Sequence, residues 1–223
     1  MVPYSCPGVK AVAIDERGER YADESASPYE VVLTQETAKK AGGRAYYVVD
    51  DDLYDSQFAS RRVSESIETA ADLGGRVATV ESLDALESVL FEWGVNGSRA
   101  VSTVREFNTA IVNGNGRRLD PSRQNYQTPI DEPPFHVVAV QPGMTFTIGG
   151  IDVTERMAVC RHAAPSSTLA YSRADGPNDM ERPIPRLYAA GMDVGNVMHR
   201  QYMGGLAVAL VTGRIAGRNA AAE

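Results

Sequence analysis

Four Gly-Gly pairs, at 42–43, 74–75, 149–150 and 204–205, set the frame of this 223-residue chain. A glycine inside a helix costs about 0.5–1 kcal/mol relative to alanine, so a pair marks where an element starts or stops. Val31 to Ala41 reads as a helix stopped by the first pair. Ser60 to Leu73 reads as a polar helix stopped by the second. The fourth pair opens an alanine-rich helix over Leu206 to Ala222. The remaining segments fall between these marks. Val9 to Ile14 alternates and carries enough β-branched residues for a strand. Asp15-Glu16-Arg17-Gly18 then forms a turn with Gly18 at positive φ, and Arg20-Tyr21-Ala22 a returning strand. Ala45 to Val49 is a strand closed by Asp50-Asp51-Asp52, and Arg76 to Ala78 a shorter one. Ser82 caps a helix whose stripe is Leu83, Leu86 and Leu90. Ser98 caps the next, Arg99 to Asn113, with Val101, Val104 and Ile111 on one face. The texture then changes. Pro121 to Pro134 is proline-rich and irregular, His136 to Val140 is a strand, and Thr145 to Val153 is a tight strand–turn–strand. Arg161 to Pro185 is polar and turn-rich, and Leu187 to Gly191 is a short buried strand. A boundary falls near Gly149-Gly150, between a helical α+β part and a glycine-rich part.

Composition excludes several classes. Lys plus Arg is 22 and Asp plus Glu is 29, a net charge of −7. That balance excludes a general binder of nucleic-acid backbones. Hydrophobic residues at 43% fit a folded core rather than disorder. No apolar run approaches the roughly 18 residues of a membrane span, and Met1 to Lys10 lacks the layout of a secretory signal. Cys6 and Cys160 are too few for a disulfide framework or a zinc site. A cytoplasmic protein without a membrane or nucleic-acid partner is the expectation.

The chemistry-bearing residues are sparse. His136, His162 and His199 are widely spaced and none has ligand spacing, so no metal is expected. Asp50-Asp51-Asp52 reads as a solvated turn, since three consecutive carboxylates cannot all face one ion from a strand end. There is no Gly-x-Ser-x-Gly elbow. Cys160, beside Arg161-His162, is either a thiol of lowered pKa or an ordinary thiol at a strand end. The phosphate-binding signatures Gly-x-Gly-x-x-Gly and Gly-x-x-x-x-Gly-Lys-Ser/Thr are absent. What is present is a strand, a loop and a glycine-opened helix: Leu187 to Gly191, Met192 to Met203, then Gly204-Gly205-Leu206. Amides at such a helix start attract partial negative charge. Gly204 and Gly205 either let a flat ligand approach the backbone or let the helix pack closely. Ten tyrosines against five phenylalanines tilt the chain toward phenols. Tyr29 and Tyr202 both lie beside turn residues, where a desolvated phenol can polarise a carbonyl or move a proton.

Several segments, in one common order, resemble FAD-dependent oxidoreductases of the fumarate reductase, flavocytochrome c and 3-ketosteroid dehydrogenase type. Gly18-Glu19-Arg20-Tyr21-Ala22-Asp23-Glu24 resembles that family's G-x-R-F-x-N-E segment. Thr79 to Leu86 is similar to its ADTLEELA helix start, and Thr103 to Asn108 to TVxxYN. Pro133-Pro134-Phe135-His136-Val137-Val138 resembles PPFYAV, and Thr145 to Ile151 resembles TxTxGGL. Pro185 to Gly191 is similar to PGLYAAGE. Tyr202-Met203-Gly204-Gly205 with Gly213 to Gly217 resembles the C-terminal flavin-contacting helix.

The resemblance implies an α+β chain in which residues 1–19 are a strand pair leading into a cap. Residues 20–146 would be the cap, a small mixed sheet with helices that handles substrate. Residues 147–223 would be the last strands and helix of a Rossmann-like FAD domain that lacks its N-terminal half. FAD is the implied cofactor. The implied partners are a small-molecule substrate and the missing N-terminal half, or a Rossmann-containing chain that supplies it. Carried over residue by residue, Tyr202 would polarise a substrate ketone and Tyr29, displaced by one inserted residue, would move a proton. Gly191, Met192, Asp193, Gly204, Gly205, Leu206 and Ala207 would contact the cofactor, with Met192 standing where the family has glutamate. Phe146, Thr147, Gly149, Gly150, His199 and Arg200 would line the substrate. Phe146 and Tyr202 replace the histidine and arginine of fumarate-reducing members, which favours a ketone-activated C–C bond, as in a 3-ketosteroid. Two alternatives stand beside this: a non-catalytic fragment or split-enzyme subunit, and a reductase of unsaturated acids using Arg123 or Arg200 as the carboxylate clamp.

Overall fold

A computed structural model describes residues 7–27, 31–58, 61–143, 150–161, 183–195, 197 and 204–223. The chain mixes helix and sheet and divides into two units, Met1–Gly143 and Met144–Glu223.

In the first unit the chain enters through a 3₁₀ turn, Pro7–Val9, rather than the strand expected there, and strand β1 is only Val12–Ile14. The turn after it forms as expected. Gly18 stands at φ 80°, and the Asp15 carboxylate accepts from the amides of Arg17 and Glu19. The expected returning strand shrinks to one bridge between Ile14 and Arg20, because Arg20 turns inward to Glu24. Helix α1 spans Val31–Lys40 and stops at Gly42 and Gly43, both at positive φ. Strand β2, Ala45–Val49, is buried at all five residues. Alternate side chains of a strand point to opposite faces. Tyr46 stacks toward Trp93, while Tyr47 closes on Gly8.

Asp50 then caps a short helix, α2 (Asp51–Asp55), by accepting from the Leu53 amide. The triple aspartate is therefore a helix start with a buried cap, not a solvated turn. Strands β3 (Gln57–Phe58) and β4 (Arg61–Arg62) pair with each other. Helix α3 (Val63–Asp72) and strand β5 (Val77–Val80) follow. Helix α4 (Leu83–Glu92) is capped by Ser82, whose hydroxyl accepts from Ala85, and buries Leu86 and Leu90. Helix α5 (Gly97–Val112) begins two residues earlier than expected, with Asn96 rather than Ser98 as its cap. The Asn96 amide donates to Glu16 O, which fixes the backbone there, while its side chain accepts from Arg99.

Strand β6 (Phe135–Val140) completes an antiparallel sheet in the order β1-β2-β6-β5. Val48 stands opposite Val137 and Tyr47 opposite Val138. The core gathers Ile14, Tyr46, Val48, Leu86, Leu90, Val104 and Phe107, each no more than 1% exposed.

In the second unit, strands β7 (Ala158–Cys160) and β8 (Pro183–Tyr188) form a two-stranded ribbon. The strand expected to be buried near Leu187 is mostly exposed. A bulge between its pairings and Arg186 at φ 61° bend it. A 3₁₀ turn, Gly191–Asp193, leads on, and helix α6 spans Gly205–Ala220.

Candidate functional site

The residues expected to contact a cofactor are brought together within the second unit. Helix α6 starts from Gly204, which stands at φ 92° with open space where a Cβ would be. A side chain there would be strained by the left-handed backbone, so glycine is what lets the chain turn into the helix. The amides of the first turn, Gly205 to Ala207, lie ahead of the helical ladder, which begins with Val208 N–H donating to Gly204 O. Leu206 and Ala207 are exposed beside them, Leu206 at 90%.

Thr212 ties this helix to the 3₁₀ turn. Its hydroxyl donates to Val208 O at 2.6 Å and accepts from the Gly191 amide at 2.8 Å. Gly191, at φ 78°, is thereby held against the helix, with Ala209 near the position its Cβ would take. Met192 and Asp193 follow with exposed side chains. Gly150 meets the same turn from another segment. A Cβ on it would lie 2.5 Å from Asp193 O and 2.7 Å from Gly195 N. Ile151 N–H donates to Asp193 O, and Gly195 N–H to Ile151 O, making a parallel bridge between Ile151 and Val194. Gly150, read from sequence as a substrate contact, is thus also a backbone crossing that no other residue fits. Thr212, which the sequence did not single out, ties Gly191 to α6, and Gly150 crosses the same turn at Asp193. Tyr29, Phe146, Thr147, Gly149, His199, Arg200 and Tyr202 lie outside the described residues.

This arrangement suits a flat, partly polar cofactor. Its elements are a glycine-opened helix start, exposed apolar side chains at Leu206 and Met192, and an exposed carboxylate on Asp193 for hydroxyl groups. Among the described residues no group of three or more His, Cys, Asp or Glu could hold a metal ion. Cys160 is half-buried at the end of β7.

In the first unit, Arg20 and Glu24, which the motif reading placed without a role, belong to a buried charged network with Arg123. Glu24 is 1% exposed. Its Oε1 accepts from Ala13 N–H and Arg20 Nε, and its Oε2 from Arg20 Nη2 and Arg123 Nη1. Arg123, fully buried, also donates to the carbonyls of Lys10, Ala11 and Tyr126. Burial presses its guanidinium pKa down and Glu24 opposes this. Phe107 faces both guanidinium groups, 5.3 and 5.4 Å from its ring centre. Arg123 is therefore committed to the protein's own interior. The expectation that it clamps a substrate carboxylate is corrected by this burial.

Residues 2–206 match the family model described as FAD binding domain. The chain belongs to this FAD-binding family. FAD is the cofactor that goes with the membership. A fumarate reductase (cytochrome) of Shewanella frigidimarina is 25% identical over 228 residues, covering 99% of this chain and 34% of the relative. A urocanate reductase of Eggerthella lenta is 24% identical, covering 96% of this chain and 31% of the relative. The FAD-binding chain thus spans about a third of the length of these curated relatives. The fold is shared with 3-ketosteroid delta1-dehydrogenase from Sterolibacterium denitrificans, solved with 1,4-androstadiene-3,17-dione. That match has a TM-score of 0.69 at 19% identity, covering 98% of this chain and 40% of the other. No helix among the described residues is long and apolar enough to cross a membrane.

Proposed function

We propose that this FAD-binding chain is the C-terminal portion of an FAD-dependent oxidoreductase that acts on a ketone-activated C–C bond, with 3-ketosteroids as the substrate class. The observation that carries this is the Thr212-held junction of the Gly191–Asp193 turn with the glycine-opened helix α6, in a chain that matches the FAD-binding family over residues 2–206. When bound, FAD supplies the hydride chemistry. The chain's own residues do the rest. Gly191, Met192, Asp193, Gly204, Gly205, Leu206 and Ala207 hold the cofactor. The α6 amides favour partial negative charge placed before them. Tyr202 donates a hydrogen bond to the substrate carbonyl oxygen, and Tyr29 moves the proton. Phe146, Thr147, Gly149, Gly150, His199 and Arg200 line the substrate. In this reading residues 20–146 are the cap and 147–223 the end of the FAD domain.

A Rossmann-type N-terminal half completes the enzyme, in the same polypeptide or as a separate chain. Two observations support this partner. The chain has no Gly-x-Gly-x-x-Gly loop, and α6 exposes Leu206, Leu210 and Val211, at 90%, 73% and 55%. Without that half, the chain is a non-catalytic fragment.

A second reading is favoured by the two named reductases among its relatives: reduction of an unsaturated acid. With Arg123 sealed in the interior, Arg200 is the carboxylate clamp in this reading.

The test is to purify the completed enzyme and follow flavin absorbance with a 3-ketosteroid or with fumarate, in wild type, Tyr202→Phe and Arg200→Lys. The ketone reading expects flavin bleaching by the steroid and its loss in Tyr202→Phe. Wild-type turnover in that variant would sink the role of Tyr202. Turnover of fumarate alone, lost in Arg200→Lys, establishes the second reading.

A further inference from the structure

His136 lies in β6, 5% exposed, where the motif it resembles carries tyrosine. Its ring stacks on Tyr54 of α2, 3.8 Å between centres and 10° from parallel. Its Nδ1 shares a hydrogen bond of 3.0 Å with the Thr79 hydroxyl on β5. Its Nε2 is buried and has no hydrogen-bond partner. The nearest acid oxygen, Asp51 Oδ1, is 3.7 Å away, beyond hydrogen-bond length. A neutral imidazole tolerates this position. An imidazolium does not, because both ring nitrogens then carry hydrogens and the one on Nε2 is sealed from water with no acceptor within hydrogen-bond length.

The charged groups around it are known. Helix α2 brings Asp50, Asp51 and Asp55. Tyr54 is itself bound to Glu68 of α3. Asp50 is occupied, accepting from Leu53 and Asp131 amides. The Asp131–Glu132 segment reaches α2 through these backbone bonds, Asp51 N–H donating to Glu132 O. Helix α4, also packed on the sheet, buries apolar Leu86 and Leu90. Among the described residues Asp51 is thus the acid close to Nε2, and its side chain is half-exposed.

We propose that His136 is a proton-operated release for helix α2: uptake of one proton by its ring unseats Asp51–Asp55 from the sheet. The direction follows from linkage. Burial lowers the His136 pKa below 6.5 against the pull of Asp51, so the open form, with His136 hydrated, binds the proton better, and acid favours it. Asp51 keeps the switching pH within reach.

The test is amide hydrogen exchange on this chain by NMR from about pH 7 to about pH 5, with the His136 ring titrated in parallel. Protection factors remove the intrinsic pH effect. Leu53 and Tyr54 amides are expected to lose protection as the His136 ring titrates, while Phe107 keeps its own. His136→Phe, which keeps the stack, is expected to flatten the response. Asp51→Asn is expected to weaken proton binding at His136 about fivefold, moving release to lower pH. Flat protection at Leu53 and Tyr54 in the wild type overturns the proposal. So does an equal loss in His136→Phe, which would assign the effect to the Asp50 cap, or an unchanged His136 titration in Asp51→Asn.

Discussion

Replacing Glu24 by glutamine tests whether charge holds the first unit together. The variant keeps the shape of the side chain and removes one charge. Each carboxylate oxygen of Glu24 receives two donors: Ala13 N–H and Arg20 Nε on one, Arg20 Nη2 and Arg123 Nη1 on the other. Whichever oxygen becomes an NH₂ group, two donors lose their acceptor and face another donor. Hydrogen bonds to charged groups contribute about 1.5–3 kcal/mol each, and breaking a buried ion pair costs about 3–5 kcal/mol. Two such bonds come to about 3–6 kcal/mol and the ion pair to about 3–5 kcal/mol, large against the stability of an ordinary domain. Trp93 is the chain's single tryptophan and packs near Tyr46 in the same unit, so its fluorescence reports on this unit during guanidinium unfolding. The exposed Arg44–Glu16 pair, 3.1 Å long, is the control, and Arg44→Ala should cost within about 1 kcal/mol. A Glu24→Gln loss no larger than that of Arg44→Ala would refute the claim that the buried network holds this unit.

Three further outcomes follow from local geometry. Gly18→Ala should destabilise by more than about 2 kcal/mol, because its Cβ would lie 2.5 Å from Asn96 O in a left-handed backbone; the same substitution at Gly42, where space is open, should cost less, and thermal melts compare the two. Thr212→Val keeps the shape but strands the Gly191 amide, so it should cost about 1–3 kcal/mol and weaken flavin retention in the completed enzyme, read by denaturant titration and by absorbance after gel filtration. Because the folded His136 pKa lies below 6.5, the unfolded chain binds more protons in mild acid; unfolding free energy should therefore fall as pH drops below 6.5, and His136→Phe should reduce that slope in urea titrations across this range.

Local signals carried the parts of the fold that depend on neighbours in sequence. The Tyr46 to Val49 run, the Ser82 cap and the Gly42-Gly43 stop all stand where pattern puts them. Errors came where a distant backbone group decided between equal local choices. Asn96 and Ser98 are both good caps, and the Asn96 bond to Glu16 O settled the matter. Asp50 reads as a turn residue until Asp131 donates to it from 81 positions away. The Leu187 strand looks buried from composition, but among the described residues it pairs with one short neighbour, and most of its side chains stay exposed. The cofactor side of the site was legible as a glycine-opened helix. Its lock was not, because Thr212 meets Gly191 across 21 residues and nothing in an Ala-Leu-Val-Thr stretch announces that crossing.

The stripe on α6 also bears on the life of the chain in a cell. Leu206, Leu210 and Val211 show water the kind of surface that chaperones and proteases use to sort unfinished proteins from finished ones. A chain that keeps those side chains bare is held, cleared or aggregated at a rate set by quality control rather than by its own melting point. Polar replacements on that stripe would then raise the recovery of the chain from a recombinant host.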